Sequence, residues 1–163
     1  EDSLVLSLLR RITFRSREEI TALEADVAER PHLRSAQRAL AEDVTTLVHG
    51  QENTVRVQEA SAALFGKGEL GSIDAATLGA ALHEAPHVTV PAGDLPGVID
   101  LLVATELSAS KSAARRAVDE GGAYVNNVRQ TDPEWRPGPD DLVHGRWLVL
   151  RRGKRAVAGV EVV

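Results

Sequence analysis

The sequence has no cysteine and no methionine in 163 residues, and aromatic residues make up only 3% of it. Without Cys there is neither a disulfide framework nor a thiolate metal site. No apolar run approaches the roughly 18 residues of a membrane span. The opening Glu1-Asp2-Ser3 lacks the basic n-region of a secretory signal, so the expected location is the cytoplasm, with no membrane partner. Methionine is missing even at position 1, which predicts a chain processed or excised from something longer. Catalytic signatures are missing too. Gly153-Lys154 lacks the earlier Gly and following Ser or Thr of a phosphate-binding loop, and there is neither a nucleophile elbow nor a dinucleotide turn.

His83-Glu84-Ala85-Pro86-His87 matches the zinc-protease string. That chemistry needs both imidazoles on one helical face, and Pro86 disrupts the helical turn that would align them. The expectation is surface histidines at a helix end, no metal and no catalytic residue.

What is present is a normal soluble balance, 43% hydrophobic and 26% charged, which suits one ordinary domain or two small ones. The net charge of −5 argues against a generic nucleic-acid binder. The distribution is uneven. Residues 1–97 carry 9 basic and 15 acidic side chains, and residues 98–163 carry 10 basic and 9 acidic. Two modules are expected from this asymmetry.

The first half reads as helices. Ser16 and Glu19 form a capping box, followed by Ile20, Leu23 and Val27 and ended by Pro31. Leu33, Ala36, Leu40, Val44 and Leu47 make a second stripe closing at Gly50. Val57, Ala60 and Leu64 make a third, stopped at Gly66, and Asp74 caps a fourth with Leu78 and Leu82. Residues 1–88 are therefore expected to form a helical bundle, and the Pro- and Gly-rich residues 89–97 a linker. Residues 98–163 read as two helices, the second capped by Ser110 and stopped at Gly121-Gly122, then a small antiparallel sheet. Its parts are the strand Ala123–Val125, the Asn126-Asn127 turn, and a hairpin pivoting on Gly153. The fold class is α+β.

Two cation clusters stand out. Lys111, Arg115 and Arg116 lie on the Ser110-capped helix, whose free amides and dipole already favour an anion. The same arginines also fit i,i+4 pairs with Asp119 and Glu120, so pattern alone leaves a phosphate grip and a solvated helix level. The second cluster, Arg146, Arg151, Arg152, Lys154 and Arg155, crowds the hairpin and tips the reading towards a nucleic-acid backbone. Asn126, Asn127 and Arg129 add donors around the turn. Trp135, beside Arg136, reads as a lid over the small core.

Leu101-Leu102, Ser108–Lys111, Ala114-Arg115-Arg116 and Gly122–Asn126 resemble the small RNA-binding domain named after ribosomal small-subunit protein four. Leu8–Phe14, Ser16–Ile20, Ala36–Ala41, Thr46–Gly50 and Glu59–Phe65 look like the helical anticodon-binding domain of bacterial tyrosyl-tRNA synthetases. The resemblance implies a fragment of a cytosolic homodimeric ligase that uses ATP and magnesium to charge tyrosine tRNA. The cofactors and the dimer contact would belong to the catalytic domain, and this part would grip the anticodon stem and long variable arm. By position, Lys111, Arg115, Arg116 and Asn126 match the RNA-facing pattern, and Asn127 stands where the family has Gly. Other proteins that carry the small domain, such as pseudouridine synthases or ribosome-associated factors, remain an alternative. A helix-turn-helix DNA reader over residues 98–121 is another, with no DNA expected on the leading reading.

Overall fold

A computed structural model describes residues 2–66 and 68–163. Among them are seven α-helices and one five-stranded sheet. The helices are α1 (Val5–Ile12), α2 (Arg17–Glu29), α3 (Ser35–His49), α4 (Gln51–Leu64), α5 (Ala75–Glu84), α6 (Val98–Ala104) and α7 (Lys111–Asp119). The strands are β1 (His87–Val90), β2 (Ala123–Val125), β3 (Val128–Gln130), β4 (Trp147–Arg152) and β5 (Ala156–Val162). No helix of the described residues is long and apolar enough to cross a membrane. Two compact units result, one ending at Val55 and the other beginning at Arg56.

The first unit holds α1, α2 and α3. Ser16 caps α2 as expected: its hydroxyl accepts from the Glu19 amide at 3.2 Å, and its own amide donates to the Glu19 carboxylate at 2.7 Å. These bonds, the backbone one foremost, hold the Glu19 carboxyl below its ordinary range. Arg15 forks onto Asp43 at 2.6 and 2.9 Å, and that bonding raises the guanidinium pKa further. The core is small: Val5 and Leu9 of α1 meet Ala36 and Ala39 of α3. The expected stripe on α3 is realised in its middle, where Ala36 is buried and Leu40 packs beside it, while Leu33 and Leu47 at its two ends are exposed.

In the second unit the sheet runs β1-β5-β4-β2-β3 and is covered on both faces. Strand alternation decides what each face receives. Leu148 and Leu150 of β4, with Ala158 and Val160 of β5, pack under α6 and α7. Trp147 and Val149 turn the other way, onto Leu64, Ile73, Leu78 and Leu82. Gly79 lets α5 approach the indole, because a Cβ there would lie 3.1 Å from the ring.

Three details go beyond the sequence reading. The sheet is mixed, because β1 joins β5 in parallel with Val88 beside Val160. This strand occupies residues read as a helix end and the start of a linker. Pro86 still ends the helix as expected: α5 stops at Glu84, Ala85 is extended, and the Pro86 carbonyl accepts from the Gly159 amide at 2.9 Å. Second, the compact unit begins inside α4, because Ala60, Ala63 and Leu64 bury against the sheet side. Third, β3 forms an unforeseen edge strand, paired to β2 across a two-residue turn.

Candidate nucleic-acid interface

Every proposed contact residue lies in the second unit, and the fold sorts these residues into three groups. The first is the α7 face. Ser110 caps α7 through the Ala113 amide at 3.2 Å, leaving Ala114, Ala117 and Val118 buried and Lys111, Arg115 and Arg116 exposed. The i,i+4 partners expected for the arginines are not the ones used. Lys111 reaches Asp100 of α6 at 2.6 Å, and Arg115 reaches Glu134 at 2.8 Å. The bond to Glu134 raises the Arg115 pKa further above its already high ordinary value. Both pairs are solvent-exposed, and exposed pairs contribute little net stability in water. No carboxylate among the described residues lies within ion-pair distance of Arg116.

The second group surrounds the β4–β5 turn. Gly153, in the left-handed region at φ 64°, lets this hairpin turn, and its amide donates to the Gly122 carbonyl at 2.8 Å. The β2–β4 register sets Ala123 beside Arg152. The basic turn is thereby fastened to the residues that follow α7. Arg152 donates to the Leu107 carbonyl at 2.9 Å in the α6–α7 connection. Lys154 and Arg155 are exposed and also lack an acidic partner among the described residues. Arg129 lies against Gly121, with its guanidinium carbon 5.8 Å from the Tyr124 ring centre.

The third group is taken up by the fold. Arg151 is 8% exposed. It stacks 4.6 Å from the Tyr124 ring centre and donates to the Phe65 carbonyl at 3.4 Å, just past the end of α4. The partial negative charge of that helix end and the ring face balance the buried cation. Gly66 is required here: its φ is 81°, and a Cβ would fall 2.6 Å from an Arg151 nitrogen. Asn126 and Asn127 both adopt positive φ, 48° and 67°, which suits the twist of the two-residue hairpin. Their amides brace the unit. Asn126 accepts from the Val149 amide at 2.9 Å and donates to the Asp141 carbonyl, and Asn127 donates to the Ala63 carbonyl at 2.7 Å. Arg146 pairs with Glu161, whose side chain is nearly buried, and lies 5.5 Å from the Trp147 ring centre.

Sequence reasoning missed Asp100, Glu134 and Glu161 as partners, since all three are distant in the chain from the cations they meet. Sequence pattern shows Tyr124 only as part of a strand, whereas β-pairing with both Arg129 and Arg151 makes it the ring between two guanidiniums. Trp135 packs against the core as expected, and its carbonyl accepts from the Val98 amide at 3.0 Å. The His83 and His87 imidazoles approach to 3.4 Å, but the described residues hold no cluster of three or more metal-ligating side chains.

Residues 78–158 match the family model described as the tyrosine–tRNA ligase SYY-like C-terminal domain. The chain is 56% identical over 163 residues to the tyrosine–tRNA ligase of Nocardia farcinica, covering 98% of this chain and 38% of that protein. It is 57% identical over 162 residues to the tyrosine–tRNA ligase of Streptomyces avermitilis, covering 99% and 38%. A solved solution structure of a tyrosyl-tRNA synthetase C-terminal domain aligns at a TM-score of 0.48 and 28% identity, over 59% of this chain and 96% of that one. The chain thus spans 38% of the length of these curated relatives, and it belongs to the tyrosine–tRNA ligase family as a C-terminal region.

Proposed function

We propose that this chain is the tRNA-binding part of a tyrosine–tRNA ligase and performs no chemistry by itself. It grips tyrosine tRNA at the anticodon stem and long variable arm. The remainder of a cytoplasmic homodimeric enzyme activates tyrosine with ATP and magnesium and transfers it. In this reading the helical unit ending at Val55 acts on the anticodon side, and the unit beginning at Arg56 carries the small RNA-binding module. The carrying observation is the Gly153–Gly122 hydrogen bond, which brings the Arg152–Arg155 turn to the end of the helix bearing Arg115 and Arg116.

Arg116, Arg152, Lys154 and Arg155 meet phosphates directly. Lys111 and Arg115 exchange their exposed carboxylates for phosphate oxygens, with Arg129 at the edge of the patch. Arg146, Arg151, Asn126 and Asn127 shape the surface that presents these groups. The patch is small within an acidic chain, so binding depends on a few charge contacts and falls steeply with salt.

The test is titration of the chain with tyrosine tRNA, an unrelated structured RNA and duplex DNA at several salt concentrations. Tyrosine tRNA is expected to bind tightest. Arg115→Glu with Arg116→Glu is expected to remove binding, and Lys154→Ala to reduce the salt slope by about 0.9, the share of one phosphate contact. Undiminished affinity in the double variant would overturn the α7 face as an RNA surface. Equal affinity for all structured RNAs would point instead to a general RNA-binding protein with the same small domain.

A further inference from the structure

The histidine pair where α5 ends and β1 begins has no part in the RNA-binding surface. Pro86 removes the single helical face that the zinc-protease string needs, yet the fold brings His83 and His87 together by another route. The Pro86 carbonyl accepts from the Gly159 amide at 2.9 Å, and β1 pairs His87 with Gly159. Gly159 permits this corner, because a Cβ there would lie 3.0 Å from Leu82 of α5 and 3.5 Å from His87. The His83 ring stands on edge against Trp147, with 5.4 Å between centres and 89° between planes. Its Nδ1 then meets His87 Nε2 at 3.4 Å. Both imidazoles are exposed, so an ion can reach the gap between them.

The two outward nitrogens have acceptors of their own. His87 Nδ1 lies 3.1 Å from the Ala85 carbonyl, which fixes the proton there and leaves a lone pair on Nε2. His83 Nε2 lies 3.9 Å from one oxygen of Glu161, a buried carboxylate whose other oxygen takes Arg146. A neutral His83 has one proton for two such sites. On Nε2 it leaves two lone pairs facing each other, and on Nδ1 it leaves a lone pair facing the carboxylate. Either way the cluster lacks one positive charge, and the distance selects the cation. Two imidazoles about 2.0–2.1 Å from a tetrahedral ion stand about 3.3–3.4 Å apart. A shared proton draws its donor and acceptor in to about 2.7–3.2 Å. The geometry points to a binding site for a late first-row divalent cation, zinc foremost, held by His83 Nδ1 and His87 Nε2 with water completing its shell. Imidazole selects that class over magnesium and calcium, which take oxygen ligands. The Ala85 carbonyl and Glu161 stand where the outer partners of zinc-bound imidazoles stand, holding both tautomers. The ion pins β1 to α5 at the sheet edge opposite β3.

The test is titration of the tag-free 163-residue chain with zinc, followed by calorimetry, thermal melting and nitrogen NMR of the imidazoles. One ion per chain is expected, shifting the His83 Nδ1 and His87 Nε2 resonances together. Saturating zinc is expected to raise Tm by at least about 3 °C, and magnesium to leave it unmoved. His83→Ala, and His87→Ala at the more peripheral ring, are each expected to remove that ion and the rise in Tm. Glu161→Gln is expected to weaken binding by about 10- to 100-fold while both ligands stay in place. Failure of zinc to shift the two resonances overturns the proposal and leaves a proton as the missing charge. Equal zinc affinity in His87→Ala also overturns it, because the ion then sits on other imidazoles. No step of this test uses tRNA, so the metal site and the RNA-binding surface stand or fall separately.

Discussion

The two units reach burial by different means. The unit beginning at Arg56 sandwiches a sheet between two helical layers, so its strands are covered on both faces by two separate clusters. The unit ending at Val55 packs one small cluster of α1 and α3, with Leu23 and Val27 of α2 against it, and has caps and ion pairs around it. A two-faced sheet gives each strand residue a buried environment, whereas three helices of modest apolar content bury one stripe each. Polar groups in the second unit can therefore be structural and deeply placed, like Arg151.

This contrast breaks most visibly through core truncation. Leu101→Ala, at a fully buried side chain in the second unit, is expected to cost about 2–5 kcal/mol. Leu9→Ala is expected to melt the first unit and leave the denaturation midpoint of the second unchanged. A single transition moved equally by both variants would show that the units are not separate. Arg151→Ala is next, at about 1–3 kcal/mol, because it strips the Phe65 carbonyl and the Tyr124 ring of their partner. Arg155→Ala, on the same hairpin but exposed, should stay within about 0.5 kcal/mol in the same thermal melts. Ser16→Ala is expected to cost about 1 kcal/mol, confined to the first unit, read by amide exchange along α2.

The smallest expected effect is on acid titration, and it touches both units. Glu19 sits below its ordinary 4.5 through hydrogen bonds at Ser16, and Asp74 below its ordinary 3.8 through those at Thr77, the side-chain bond first. A lowered folded value means that the contribution is complete above the ordinary value and is lost as pH falls through the lowered one. Glu19→Gln and Asp74→Asn should each flatten the fall in stability below about pH 4, one in each unit. An unchanged slope in both would remove these caps from the acid response.

Much of this was legible in the chain. The N-caps at Ser16, Asp74 and Ser110 and the stop at Gly50 marked helix ends because they satisfy local amides and local dihedrals. Asn126-Asn127 and Gly153 marked turns because left-handed backbone selects for them. β1 is masked by Pro86 and Pro91 on either side of it, since β-branched Val88, Thr89 and Val90 make so short a strand only by pairing with β5, some 70 residues on. The candidate site was half legible. Its cations were visible as clusters, but their availability was not, since Asp100, Glu134 and Glu161 reach them only through folding.

The sequence by itself determined what depends on neighbours a few residues apart: the caps, the turns, the helical period, the basic α7 and hairpin, and the family likeness those strings carry. Tertiary structure alone decided which cations remain available to a phosphate. Strand alternation sends Arg151 inward and leaves Arg152 outside, and the Gly153–Gly122 bond joins the turn to the helix end. The physical reason is that burial and ion pairing are set by through-space neighbours, and nothing in the order of residues along the chain displays them.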